Sequence, residues 1–270
     1  MKSLGIGIIG AGRIGSAMAF WLARNGWRIV GFYDILEKSS AEAARITPCG
    51  VFDSMEKLVD RCEILFITVP DDAIISVCEH LGELRDFSAK FLFHTSGILP
   101  SKILRLAGLD KAVYCIHPFG GVSSISKTEN PFKSLFFGCE GDLAASDIAE
   151  NLVTSLEGKF IHIDCNTKGR YHFGASLAAN HSFALLEICS KLLEDSGIQK
   201  KNAIDMTISI VEKAIENFRK FGFANGATGP VVRNDELTIA QHLIAANQTG
   251  NLDIYIAGLE KIRELLRKGN

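Results

Sequence analysis

The segment GIIGAGRIGSAMAFWL near the amino terminus constrains this chain more than any other stretch. An apolar run, LGIGIIG, ends in Gly10; Gly12 and Gly15 complete G-x-G-x-x-G, and a helical pattern follows. Between a strand and a helix this spacing has a physical meaning. Gly10 permits the tight turn, Gly12 lets the backbone approach a pyrophosphate, and Gly15 lets the helix pack closely on the strand. Gly10, Ala11, Gly12, Arg13, Ile14 and Gly15 are thus expected to line a dinucleotide. Its phosphates would meet the free N–H groups and the favourable dipole of the helix N-terminus. A glycine-rich turn that binds nothing is the alternative.

Up to about residue 164, short β-rich runs alternate with helical patterns. The runs are LGIGIIG, RIVGFYD, EILFITVP, KFLFHTS, AVYCIHP, SLFFGCEG and KFIHID. The first five are nearly continuous apolar stretches, as expected of strands buried on both faces of a parallel sheet. Helices are predicted over Ser16–Asn25, Ser39–Ile46, Met55–Arg61, Ala73–Leu84, Ser101–Leu106 and Ala145–Leu156. The alternation predicts an α/β fold with a doubly wound parallel sheet. Beyond Asp164 the rhythm changes to long helical patterns: Gly169–Ser196, Ala203–Phe221, Asn234–Ala246 and Leu252–Arg267. The polar break near Cys165–Lys168 therefore predicts a dinucleotide-binding domain over residues 1–164 and an all-helical domain over residues 165–270.

Composition narrows the function. With 29 basic and 31 acidic side chains the net charge is −2, which gives no electrostatic case for nucleic acid or an acidic membrane. The seven cysteines are dispersed, with no CxxC and no metal-ligand spacing, so no metal is expected and a reducing, cytoplasmic location is. The amino-terminal run is broken by Gly10, Gly12, Arg13 and Gly15 and lacks a signal-peptide pattern. The apolar stretch ASLAANHSFALLEICSKLL contains Asn180, His181 and Glu187, which argues against a membrane span.

In an open α/β sheet, ligands bind beyond the carboxyl ends of the strands. Asp34 ends the second run about 20 residues past the loop, where an acid bonds ribose hydroxyls and repels a 2′-phosphate. That favours NAD over NADP, although Lys38, Ser39 and Ser40 follow and could receive a 2′-phosphate. Val69 and Pro70 are expected beside the nicotinamide ribose, with Asp71 or Asp72 capping the next helix. His94, Ser96 and His117 converge at two successive strand ends. A histidine titrating near neutrality can exchange the proton that accompanies hydride transfer, and Ser96 could bond the substrate oxygen. Strand-end hydrogen bonding is the alternative for each.

In the helical half, Tyr171, His172, Ser176 and Asn180 fall on a mostly apolar helix, with Ser176 and Asn180 sharing a face. Facing a cleft they would hold substrate; facing other helices they would be buried hydrogen-bonding groups. Arg233, after the Gly226–Pro230 turn, is a candidate anion clamp. Asn234 or Asp235 is expected to cap the following helix. His242 could face the same cleft, or be packed or solvent-facing, and the terminal helix is amphipathic.

The ordered set GIIGAGRIG, VPDDAI, HTSG, IHPF, the YHxxAS-to-AAN stretch and TGPVVRND covers nearly the full chain. It resembles an uncharacterised family that joins a Rossmann-like domain to a helical domain of unknown function. That family lies within the 6-phosphogluconate-dehydrogenase-like superfamily, with pyrroline-5-carboxylate reductase, deazaflavin-dependent NADP oxidoreductase and prephenate dehydrogenase. The resemblance implies an NAD(P)-dependent oxidoreductase acting on a small, anionic substrate, commonly as a homodimer. In prephenate dehydrogenase a similar H-P-x-x-G stretch supplies a catalytic histidine, and His117 stands at that place. In hydroxyisobutyrate-type relatives a Lys and an Asn stand four apart on the first long helix; here Asn180 fits the Asn, but Ser176 replaces the Lys. The competing expectation is a dinucleotide-binding sensor or scaffold without redox chemistry.

Overall fold

All seven runs are strands in the computed structural model, which describes residues 2–84, 86–122 and 126–268. They are β1 (Gly5–Ile9), β2 (Arg28–Tyr33), β4 (Ile64–Ile67), β5 (Phe91–His94), β6 (Ala112–Pro118), β7 (Phe136–Gly141) and β8 (Lys159–His162). An eighth, β3 (Gly50–Val51), was not expected: two exposed residues pairing beside Gly31 and Phe32 are too short to show a period. The sheet order is β3-β2-β1-β4-β5-β6-β7-β8. Pairing is parallel throughout except between β6 and β7.

The apolar runs are continuous because both faces of the sheet are covered. Ile64 and Phe66 of β4 pack with Met18 and Leu22 of α1 (Arg13–Arg24) and Leu152 of α5 (Leu143–Ser155). Leu65 and Ile67 face the other way, onto Leu58 of α3 (Met55–Val59) and Leu81 of α4 (Ile74–Glu83). The remaining helix of this half is α2 (Glu37–Ile46), and Ser101–Ala107 is a 3-10 helix.

The helical half comprises α6 (Lys168–Ser176), α7 (Ser182–Asp195), α8 (Lys200–Gly226), α9 (Glu236–Gln248) and α10 (Leu252–Lys268). The single helix expected over Gly169–Ser196 is interrupted by a π-helical turn at Leu177–His181. Gly222, with φ +67°, breaks α8 near its end. The chain divides into two compact units between Asn180 and His181, later than the polar break near Cys165–Lys168. No helix among the described residues is long and apolar enough to cross a membrane.

Phe66, Phe93 and Tyr114 lie side by side across β4, β5 and β6, with ring centroids 5.1 and 5.9 Å apart. Phe93 is the fully buried middle ring, so Phe93→Ala should cost about 3–5 kcal/mol. Urea unfolding followed by tryptophan fluorescence measures this, and a loss below about 1 kcal/mol would show that the ladder does not support the sheet.

Candidate active site

Gly10 has φ +95°, donates its N–H to Tyr33 O at 2.9 Å, and would place a Cβ 2.9 Å from the Val69 nitrogen. Only glycine meets all three demands. A Cβ on Gly15 would overlap Gly10 O and Thr68 Oγ1, so the close approach of α1 to β1 requires its absence. Thr68 Oγ1 locks this contact by donating to Gly10 O at 2.6 Å. Gly12 starts α1 without a side-chain cap, and nothing lies within 4 Å of its missing Cβ. The first N–H groups of α1 therefore face an open cradle that fits a pyrophosphate. Arg13 is exposed and Ile14 half-buried beside it, and Ala11 is buried. Val69 is half-buried and Pro70 exposed at the end of β4. Neither Asp71 nor Asp72 caps a helix: both lie inside the 3-10 turn Asp71–Ala73, which has no side-chain cap.

Asp34 ties the end of β2 to the loop. Its Oδ2 accepts from Ala11 N–H at 2.7 Å and its Oδ1 from Leu36 N–H at 2.8 Å. Among the alternatives for a 2′-phosphate, Lys38 is exposed, while Ser40 is buried and donates to Glu37 O at 2.9 Å.

The second cluster gathers at the ends of β5 and β6. His117 Nδ1 lies 2.9 Å from the Tyr171 hydroxyl, and the His172 ring packs edge-on against His117 at 5.7 Å. A Cβ on Gly97 would lie 2.7 Å from His117 Nε2 and would overlap His172 Nδ1, so both ring nitrogens point at the turn after β5. A Cβ on Gly138 would overlap the Tyr171 hydroxyl, so the missing side chain leaves the phenol its place. With Nδ1 unprotonated, the Tyr171 O–H donates to it. Burial pushes the Tyr171 hydroxyl up, so it keeps its proton. Burial, with the Lys168 charge and His172 nearby, pushes His117 down to about 3. The expected near-neutral titration is therefore corrected: this imidazole is neutral at physiological pH.

His94 and Ser96 do different work from the substrate contacts expected of them. His94 is fully buried, and its Nδ1 accepts from Ser96 N–H at 3.1 Å. Burial first, then the Lys168 charge, lowers it to about 3. Ser96 Oγ accepts from Leu99 N–H at 2.9 Å and Ile98 N–H at 3.3 Å, which shapes the turn that carries Gly97. Both residues build the floor beneath His117.

Two further residues were not singled out from the sequence. Lys168, 1% exposed, donates to Ser96 O at 2.9 Å and contacts Cys115 Sγ at 2.8 Å, with Glu140 Oε1 at 3.5 Å. Glu140, 3% exposed, accepts from Ser101 N–H at 2.6 Å and Ser101 Oγ at 2.7 Å. A lone acid inside the apolar strand pattern FFGCEG was the available signal for Glu140. Lys168 was hidden in the polar break.

Ser176 closes α6 and is half-buried; Asn180 is exposed within the π-helical turn. The π-helical turn begins directly after Ser176 and holds Asn180. Arg233 is exposed and belongs to the second unit. There Asp235 caps α9 through Thr238 N–H at 3.1 Å, as expected. His242 is exposed and lies 3.1 Å from the Tyr255 hydroxyl.

Two neutral imidazoles make the fold acid-labile. Above the unfolded-state value of 6.5, neither state holds the extra protons and the stabilisation is complete. Below it the unfolded chain binds protons that the folded chain refuses, until the pH reaches about 3. Each imidazole then removes about 1.4 kcal/mol per pH unit. Urea midpoints measured against pH should fall across this window, and less steeply in a folded His94→Gln protein. An identical acid slope in that variant would contradict the assignment.

Residues 1–118 match the Rossmann-like domain family, and residues 135–261 match DUF2520, a domain of unknown function. No curated protein matches the sequence. Several solved structures share the fold. A candidate NADP oxidoreductase from Bacteroides fragilis aligns with TM-score 0.80 and 20% identity, over 97% of this chain and 99% of that one. The Aspergillus terreus reductive aminase, solved with NADPH and ethyl-5-oxohexanoate, aligns at 0.73 and 11% identity, over 99% and 95%. Pyrroline-5-carboxylate reductase from Streptococcus pyogenes aligns at 0.68 and 16% identity, over 99% and 100%. The chain therefore carries a Rossmann-like match followed by a DUF2520 match.

Proposed function

We propose that this protein is a nicotinamide-dinucleotide-dependent oxidoreductase acting on a small, anionic substrate. The Tyr171–His117 hydrogen bond at a strand end of a glycine-loop sheet carries this reading. The bound dinucleotide would supply or accept the hydride. Gly12 and the first turn of α1 would hold its pyrophosphate, and Asp34, a carboxylate at the end of β2, favours NAD over NADP. With His117 neutral, Nε2 carries a proton and Nδ1 accepts from Tyr171. A substrate oxygen or nitrogen beside Gly97 would be polarised by His117 Nε2–H, as neutral imidazoles do elsewhere. On reduction it would take that proton, which solvent then replaces, while the Tyr171 O–H keeps its own proton and holds the ring through Nδ1. His172, Ser176 and Asn180 supply polar contacts on the same unit.

The absence of a lysine four residues before Asn180 favours a second reading, a dinucleotide-binding sensor or scaffold. The two readings part on turnover. NADH and NADPH titrations should show tighter NADH binding, and Asp34→Ala should erase the preference. Across ketoacids, imines and hydroxyacids, one substrate class should oxidise or reduce the cofactor. His117→Asn should slow that turnover about 10²–10⁴-fold with cofactor binding unchanged. Cofactor binding without turnover across the panel would favour the sensor.

We also propose a homodimer seated on α8. Ile204, Ile208, Val211, Ile215 and Phe218 alternate spacings of four and three, and all are exposed. That is the stripe of a helix that packs against another helix. Light scattering at micromolar concentration should give twice the chain mass, and Ile208→Asp/Ile215→Asp should give the monomer. A wild-type monomer would defeat this assembly.

A further inference from the structure

We propose that Lys168 is an internal cation that positions the Tyr171–His117 pair, by tying the first turn of α6 to β5, β6 and β7 at once. The proposal deepens the reading above, but it rests on geometry and its test needs no substrate.

His94, Cys115 and Glu140 are all buried, with donor atoms within 4.8 Å of one another. They are residue types that elsewhere surround a metal ion, yet here the cation among them is an ammonium. The Lys168 Nζ donates to Ser96 O at 2.9 Å, on the turn after β5. It meets Cys115 Sγ of β6 at 2.8 Å and Glu140 Oε1 of β7 at 3.5 Å. Each anchor lies next to a part of the proton site. Ser96 precedes Gly97; Cys115 shares a strand face with His117, two residues on; Glu140 is two residues from Gly138. On the helix, Tyr171 and His172 are three and four residues after Lys168, so they lie on the same side of α6 as the ammonium. One buried charge thus fixes where the phenol and both imidazoles stand.

The charge has a second effect. The titratable groups facing His117 are Lys168, Tyr171 and His172 from α6 and His94 from β5. Lys168 is the cation of the set, and it opposes protonation of both His94 and His117.

The test is ¹⁵N-detected histidine NMR on the full chain as pH is lowered. In the wild type, His117 should hold one neutral tautomer, with Nδ1 hydrogen-bonded. In Lys168→Met the His117 titration should move up by about one unit or more, a tenfold gain in proton affinity, and the Nδ1 signal should lose its hydrogen-bonded shift. Lys168→Met leaves Glu140 buried and unpaired and can fail to fold. Lys168→Met/Glu140→Met removes both charges, a replacement that buried ion pairs commonly tolerate, and should show the same two changes. A folded variant with His117 unaltered in tautomer and titration would overturn the proposal. So would failure of both variants to fold, because the cation would then be a folding requirement and not a positioning device. Loss of catalysis in His117→Asn bears on the proton role alone and leaves this outcome untouched.

Discussion

Burial of β1, β4, β5 and β6 on both faces is the constraint from which the rest of this molecule follows. Their side chains alternate between two apolar layers, so mid-strand positions have no room for unpaired polar groups. Polar chemistry is left to the strand ends, and there the register brings it together. Ile9, Ile67, His94 and Cys115 stand in line across the four strands. The glycine loop follows Ile9, Thr68 follows Ile67, the Ser96–Gly97 turn follows His94, and His117 lies two residues beyond Cys115. A packing rule for the core thereby becomes a placement rule for the site.

Exclusion of water that stabilises the sheet also decides how its ends can react. In a dry setting an imidazolium is costly, and an ammonium nearby makes it more so. His94 and His117 are both pressed into their neutral forms. The buried Lys168 cation is tolerated because a carboxylate, a carbonyl and a thiol surround it. On the proposed function, acid chemistry here would draw on the neutral N–H of His117, beside a phenolic O–H that keeps its proton. Charge is spent on holding the groups in place.

Much of this was legible because it depends on neighbours in the chain. The loop needs glycines at a set spacing, and Gly10 and Gly15 show why: one has positive φ, the other has a backbone oxygen where its Cβ would stand. Seven strands were legible because double burial makes each an apolar run. What escaped depends on residues distant in sequence. Lys168 meets Ser96 O across 72 residues and Cys115 Sγ across 53, and no periodicity encodes either contact. His94 and Ser96 were recognised as polar strand-end residues, but their hydrogen bonds to the turn are decided locally by backbone geometry. The π-helical turn before His181 is invisible to any pattern that assumes regular spacing.

The register also limits what can occupy the site. Gly10 and His117 lie at the ends of β1 and β6, three strand intervals apart through β4 and β5. At about 4.8 Å per interval the separation is about 14 Å. A ligand whose anionic groups rest on the first turn of α1 and whose reacting atom lies near His117 must span that distance. A small metabolite bound alone cannot do both. A nucleotide laid along the strand ends can, with its second partner meeting it at the turn that carries Gly97. On the proposed function the two clusters would act as a single site when a dinucleotide bridges them, with a separate small substrate at the turn that carries Gly97.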